Sequence, residues 1–327
     1  MRERHVTSDS NDPTPEGLNV VLGAGAIGRA IVEELARRTS RVRVVNRSGD
    51  AVVPDGVEVV AADLSDPAEA ERAIAGASVA YHTVNPPYHR WVELFPPIHT
   101  AIIAGASRAG ARLVMADNLY MYGRSNGEVM TERSPVDPAT PKGELRARMA
   151  AELLDAHRRG DIEVAIGRAS DYFGPGGLTS QMGERVFGRL VSGEKAQLIG
   201  DPDTRHTYTY LPDIGRALIT LGAAPAAAGD VWHIPSPPPL TTRHFVDAIA
   251  DHLGEHPGIS VMPAAMLAVL SWFSPMLRAV REEAYQLQSD WIVDDGKYRE
   301  AFGHGETPLD EALAATLEWF RSRANVG

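Results

Sequence analysis

The chain has 327 residues, 44% of them hydrophobic, enough for one large or two interlocked domains with a substantial core. A formal net charge of −11 leaves no general basic field for a phosphate backbone, so nucleic acid is not expected as a partner and any anion must be held by a local site. Cysteine is absent, which removes disulfides, thiolate metal sites and a cysteine nucleophile, and fits a reducing, cytoplasmic compartment.

Residues 1–17 contain Arg2, Arg4, Ser8, Ser10, Asn11, Pro13 and Pro15 without an apolar run, and are expected to form a disordered leader rather than a signal peptide. From 18 to 170, short β-branched runs alternate with longer helical patterns, the signature of βαβ units and a parallel sheet. The first strand, LNVVL at 18–22, leads directly into Gly23-Ala24-Gly25-Ala26-Ile27-Gly28 and a helix at 26–38. This is a G-x-G-x-x-G turn in the strand–helix context that makes it a dinucleotide signal. Gly23 supplies the tight turn, Gly25 lets a pyrophosphate approach the backbone, and Gly28 brings helix against strand. The free amides of the first turn, at Ala26 and Ile27, then face the anion.

A second strand at 41–45 ends at Asn46-Arg47-Ser48, where the adenosine ribose should lie. A carboxylate there would repel a 2′-phosphate, whereas an amide, a guanidinium and a hydroxyl welcome one, so NADP(H) is expected in preference to NAD(H). The bland alternative for Arg47 is a solvated loop cation. A third strand at 57–60 leads to Asp63 and Leu64, placed to meet the adenine; Asp63 could instead cap the helix at 67–74, a duty open equally to Ser65 or Asp66. The fourth strand, 78–84, delivers Thr83 to the crevice, with Asn85 beyond it unless Asn85 only starts a turn before Pro86. Tyr88 and Trp91 follow, either covering an apolar part of a substrate or packing between lobes, and a helix spans 91–109.

The strand at 112–116 precedes Asn118, Tyr120 and Tyr122, whose spacing of two on an extended backbone would point all three the same way. Asn118 could then donate to a substrate carbonyl. Tyr120 could give a proton if Lys142, Arg146 or Arg148 lowered its pKa from ~10; otherwise both tyrosines pack under the cofactor. A helix at 143–159 carries Glu144 in its first turn, as an acid–base group or an exposed helix-start residue. A strand at 162–167 ends at Arg168.

Beyond 171 the pattern loosens into Gly- and Pro-rich segments at 172–177 and 234–240, with a strand at 231–234 and helices at 244–253 and 309–323. We expect a smaller substrate-binding lobe over 171–327, with returns to the first sheet near 205–235 and the site between the lobes. The apolar stretch 264–273 is too short to span ~30 Å of hydrocarbon and is expected as a buried or lid helix rather than a membrane contact. His82, His89 and His99 are irregularly spaced, so no metal is expected. The absence of G-x-S-x-G leaves a serine hydrolase unsupported.

Taken together, these motifs resemble the extended short-chain dehydrogenase/reductase superfamily, of the NAD-dependent epimerase/dehydratase type. Besides the glycine turn and Asp63, DNLYMYG (117–123), GRASDYFGPGG (167–177), RHTYTYLPDIGRAL (205–218), VWHIPS (231–236) and VDDGKYREAFG (293–303) carry the resemblance. It implies an α/β fold: a Rossmann doubly wound parallel sheet with a smaller C-terminal substrate lobe, often dimerised through two helices per subunit. It also implies that Arg168, Asp171, Tyr172 and Arg205 line the nicotinamide end and the substrate lobe, Arg205 with His206 either holding an acidic substrate or forming a surface ion pair. Chemistry in that family uses a Tyr, a Lys four residues later and a Ser. Here the serine position falls on Asn118. The Tyr-x-x-x-Lys region reads TPKGELRARMAAE at 140–152, offering Lys142 with Arg146 in one register and Glu144 with Arg148 in the other. Neither register holds the tyrosine.

The sequence thus predicts an NADPH-dependent oxidoreductase reducing a carbonyl or imine of a small metabolite. A sugar-nucleotide epimerase or dehydratase and a non-catalytic NADPH-binding sensor stay open as alternatives. The expected partner is a small-molecule substrate, with no nucleic acid or membrane, and with a homodimer allowed.

Overall fold

The computed structural model describes residues 13–39 and 41–324. Of the leader expected at 1–17, residues 1–12 lie outside the described residues. Residues 13–17 are not loose as expected, because Pro15 is buried and its carbonyl accepts from Asn19 Nδ2 at 3.3 Å.

The first half runs β1 (Leu18–Leu22), α1 (Ala26–Arg38), β2 (Val42–Asn46), β3 (Glu58–Ala61), α2 (Pro67–Ile74), β4 (Ala77–His82), α3 (Trp91–Ala109), β5 (Arg112–Asp117), β6 (Val129–Met130), α4 (Pro141–Arg158) and β7 (Val164–Arg168). The second half continues with β8 (Tyr172–Phe173), α5 (Arg189–Val191), β9 (Ala196–Ile199), β10 (Arg205–His206), β11 (Thr209–Tyr210), α6 (Leu211–Ala223), β12 (Asp230–His233), β13 (Leu240–Thr241) and α7 (Thr242–Leu253). It closes with β14 (Ile259–Met262), α8 (Ala264–Leu270), α9 (Pro275–Glu283), β15 (Ile292–Val293), α10 (Gly296–Phe302) and α11 (Leu309–Ala324).

Seven strands form one parallel sheet in the order β12-β7-β5-β4-β1-β2-β3. Its strands alternate between two cores, as pleating requires. Val20, Leu113, Met115 and Ile166 pack with α2, α3 and α4 on one face, while Val21, Val114 and Ala165 pack with α1 and α6 on the other. Helices on both faces explain why these strands read as unbroken apolar runs. The first five strands and their helices come from consecutive sequence, whereas α6 and β12 rejoin the large sheet from the second half. The lobe beside it has its own aromatic core, Phe173, Phe187, Tyr208, Phe245 and Phe320, closed by α7 and α11.

The stretch at 264–273 is not a buried helix. In α8 only Leu267 is buried, and Trp272 and Phe273 after it are 74% and 81% exposed. The C-terminal end of the following helix, α9, brings Glu282 and Glu283 against Lys142 at the start of α4. No helix among the described residues is long and apolar enough to cross a membrane.

Candidate active site

The turn between β1 and α1 has the shape its glycines predict. Gly23 has φ +109°, and a Cβ there would meet Thr83 O at 2.9 Å. At Gly28 a Cβ would fall 1.9 Å from Gly23 O, so helix and strand touch only because this residue has no side chain. At Gly25 nothing lies within 4 Å of the Cβ position. Gly25 is also the N-cap of α1, and no side chain caps that helix. An open space thus faces the uncapped first-turn amides at Ala26 and Ile27, the arrangement that receives a pyrophosphate. Thr83 Oγ1 donates to Leu22 O at 3.0 Å and to Gly23 O at 3.1 Å, tying the end of β4 to the turn. The residues present fit a dinucleotide.

At the ribose end, a cleft of about 310 Å³ is lined by Arg29, Glu33, Asn46, Asp50 and Pro54 together with the apolar residues around them. Asn46 serves its own loop: Nδ2 donates to Asp50 O at 2.8 Å, and Oδ1 accepts from Gly49 N at 2.7 Å and Ser48 Oγ at 3.3 Å. Its carboxamide therefore shapes the loop instead of reaching for the ribose as the sequence suggested, and the Ser48 hydroxyl is tied into the same loop, accepting from Asp50 N at 3.3 Å. Arg47 is exposed and close enough to Asp63 to help lower its pKa, after the hydrogen bonds from Ser65. Asp66, not Asp63, caps α2, accepting from Ala68 N and Glu69 N. Leu64 is buried beneath that turn. Arg29 was missed from sequence, although it directly follows the last glycine of the motif.

Three strand ends converge on a buried charge cluster. Asp117, closing β5, accepts from Arg146 Nε at 2.7 Å and from Arg168 Nε at 3.2 Å, with no exposure of its side chain. Arg146 also donates to Ala116 O at 2.9 Å. Arg168 donates to the Tyr122 hydroxyl at 2.8 Å, which in turn lies 2.8 Å from His233 Nε2 on β12. The Asp294 carbonyl, 2.8 Å from His233 Nδ1, can only accept, so Nδ1 carries the hydrogen and the neutral ring's Nε2 accepts from the Tyr122 hydroxyl, which itself accepts from Arg168. Arg168, expected at the cofactor, is spent inside this cluster. Asp117 was not singled out from sequence.

The expected common direction of Asn118, Tyr120 and Tyr122 does not hold, because the backbone is not extended. Asn118 Oδ1 accepts from Tyr120 N at 3.1 Å, residues 120–122 make one 3₁₀ turn, and Gly123 leaves it at φ +66°. Tyr122 goes to the charge cluster, and Tyr120 receives a hydrogen bond from the Tyr88 hydroxyl at 3.1 Å. No cation lowers the Tyr120 phenol. Burial raises it, and Asp171 raises it further. Of the expected cations, Lys142 is turned to Glu282 and the Ala279 carbonyl, Arg146 is held by Asp117, and Arg148 is exposed.

The registers at 140–152 now separate: Lys142 and Arg146 face inward from α4, while Glu144 and Arg148 are exposed on its other side. Trp91 is a core residue, not a substrate cover; its Nε1 donates to Pro86 O at 3.1 Å and its ring stacks near Tyr120. Tyr88 remains half-buried beside Tyr120, and Asn85 is exposed. Asp171 is partly open, with His206 Nε2 3.0 Å behind it, and Tyr172 lies alongside. Arg205 is exposed and held by Asp290 at 2.6 Å, the surface-ion-pair alternative of the two the sequence allowed.

Residues 20–234 match the model of the NAD dependent epimerase/dehydratase family, well over half of the chain. The chain belongs to that family. Among its similar relatives is the 3beta-hydroxysteroid-dehydrogenase/decarboxylase isoform 2 of Arabidopsis thaliana, 23% identical over 350 residues. That match covers 92% of this chain and 61% of the relative, so this chain spans about three fifths of the relative's length. The dTDP-glucose 4,6-dehydratase DesIV of Streptomyces venezuelae, solved as a double mutant with NAD and DAU bound, shares the fold at a TM-score of 0.77 and 20% identity, covering 94% of this chain and 98% of that one. The UDP-N-acetylglucosamine 4-epimerase of Methanobrevibacter ruminantium M1, in complex with UDP-N-acetylmuramic acid, does so at 0.77 and 16%, covering 94% and 99%. For this family member the doubly wound parallel sheet is therefore shown both by its own strand order and by its structural neighbours.

Proposed function

We propose that this family member uses a bound nicotinamide dinucleotide to oxidise a secondary carbinol of a sugar nucleotide, as an epimerase or dehydratase does. The observation that carries the reading is the open space at Gly25 over uncapped helix amides, with the Tyr88–Tyr120 hydroxyl pair in the segments that follow β4 and β5. The family match and the sugar-nucleotide enzymes among the neighbours support it. The nicotinamide, when bound, supplies a reversible hydride acceptor. Gly23, Gly25 and the amides of Ala26 and Ile27 hold the pyrophosphate. Asp63 with Leu64 meets the adenine, and Thr83 and Asn85 border the path to the reacting end. Asn118, Tyr88, Tyr120, Asp171 and Tyr172 surround the substrate, and Tyr122 with Arg168 fixes the floor beneath them.

A panel of UDP- and dTDP-sugars incubated with catalytic NAD+ or NADP+ tests the reading. Interconversion without net cofactor change supports it, and its absence across the panel, with both dinucleotides bound, ends it. A second reading, net reduction of a small carbonyl by NADPH, is favoured by one observation, the Arg29 guanidinium lining the cleft at the end of β2, with exposed Arg47 on the adjoining loop. It predicts that Arg47→Ala weakens NADPH about tenfold and leaves NADH within about twofold in calorimetric titration.

A further inference from the structure

The hairpin of α8 and α9 turns an apolar face outward. Residues 257–277 hold no acidic or basic side chain. Inside the hairpin, Leu267 and Ser271 are buried four positions apart, and Leu267 packs with Ile199 and Ala284. Met266, Val269, Leu270 and Phe273 follow the i, i+3, i+4, i+7 spacing of one helical face, and all four are exposed. The helical path continues to Phe273, because Trp272 N donates to Val269 O and Phe273 N to Leu270 O, both at 3.1 Å. Trp272 and Met276 carry the exposed apolar surface across the turn into α9. Single exposed apolar residues are ordinary, but a run of this kind marks a contact surface.

Charge at its border says what it contacts. Arg278 and Arg281 are exposed on α9, three positions apart, and Arg281 reaches back to the turn, where Nη1 donates to Ser271 Oγ at 3.2 Å. The acids that follow, Glu282 and Glu283, are directed to Lys142 instead. Among the described residues neither arginine has a carboxylate partner. In a chain of net charge −11, two such cations beside an uncharged apolar segment form a local exception. A second copy docked about a two-fold axis would bring the same arginines together with no acid to meet them. An anionic lipid surface satisfies both features: phosphates take the guanidiniums, and the acyl boundary takes the rings and the arginine stems. Trp272 and Phe273 project from the turn, and a fluid acyl layer receives projecting rings without needing a matching pocket.

We propose that the α8–α9 hairpin is a peripheral anchor that seats this protein on an anionic bilayer, with Trp272 and Phe273 at the acyl boundary and Arg278 and Arg281 on lipid phosphates. The inference is independent of the carbinol-oxidation reading. The sequence expectation of no membrane partner rested on the lack of a spanning segment, which a contact with one leaflet does not need. The attraction is local, so the acidic bulk of the chain is held away from the surface.

Flotation of the full chain with vesicles of phosphatidylcholine alone, or of phosphatidylcholine with about 30% phosphatidylserine, tests this. Binding to the anionic vesicles should be about tenfold tighter than to the neutral ones and should weaken with salt. Replacing both rings, Trp272→Ser with Phe273→Ser, should cost more than about tenfold in binding while the melting temperature stays within ~2 °C. Arg278→Gln should weaken anionic binding about fivefold and leave neutral vesicles unaffected. If the ring variant does not fold, lipids with brominated acyl chains should quench tryptophan fluorescence in the unaltered chain, and Trp272→Phe should abolish that quenching. No binding to either vesicle, equal binding to both, or anionic binding retained without the rings overturns the inference. So does a dimer in sedimentation that Trp272→Ser splits, because the face would then belong to a second copy.

Discussion

The last two glycines of the turn differ in what an added Cβ would meet. Gly25→Val places its branch in the space above the first turn of α1, where no atom stands within 4 Å. We expect dinucleotide binding to weaken more than about tenfold while the melting temperature stays within ~2 °C. Gly28→Ala is the converse, because its Cβ would fall 1.9 Å from Gly23 O, and it should cost ~1–3 kcal/mol in urea unfolding. At Asp117 the issue is charge. Two guanidiniums share one fully buried carboxylate, so Asp117→Asn strands both and should destabilise the chain by ~3–5 kcal/mol, read by the same unfolding measurement.

At the scale of elements, the packing of β4 against α3 gives the fold a pH dependence. His82 and His99 lie with ring centroids 5.6 Å apart, both buried, and His99 Nε2 meets Met149 O at 3.1 Å. Burial holds His99 at about 4, below its ordinary 6.5, and lowers His82 in the same direction; half-exposed Glu152, 3.8 Å from His99, does not offset this. Above pH 6.5 folded and unfolded chains are both neutral at these rings. As pH falls through 6.5 the unfolded chain binds protons that the folded chain refuses, so stability drops until the folded His99 protonates near 4. Melting temperature should fall across that window, with a slope of up to ~1.4 kcal/mol per pH unit per histidine, and His99→Gln should make it shallower. The elements themselves were largely legible. Helices expected at 26–38, 67–74 and 91–109 have those ends in the structure, because glycine turns, an Asp-Pro start and a closing Gly110 mark them locally. Position α4 was read two residues late, and the tyrosine segment after β5 was read as extended, because the Asn118 turn that bends it leaves no periodicity to detect.

Across the whole molecule, the contacts that make the site are distant in sequence. Asp117 meets Arg168 across 51 positions, Tyr122 meets His233 across 111, and Lys142 meets Glu282 across 140. The glycine cradle could be read because its parts are contiguous; the Asp117 charge cluster could not, because spacing along the chain carries no information about which strand end returns to it. The one parallel sheet takes its outermost strand, β12, from residues 230–233, and that strand pairs with β7 while its His233 receives Tyr122. On the ribosome the cradle emerges complete long before the sheet does. Until β12 arrives, β7 is an open edge and the hydroxyl of Tyr122 lacks its acceptor. The two halves of the chain are therefore not exchangeable cassettes: a graft cut after residue 170 would carry the glycine cradle intact and leave the β7 edge of its own sheet unfinished.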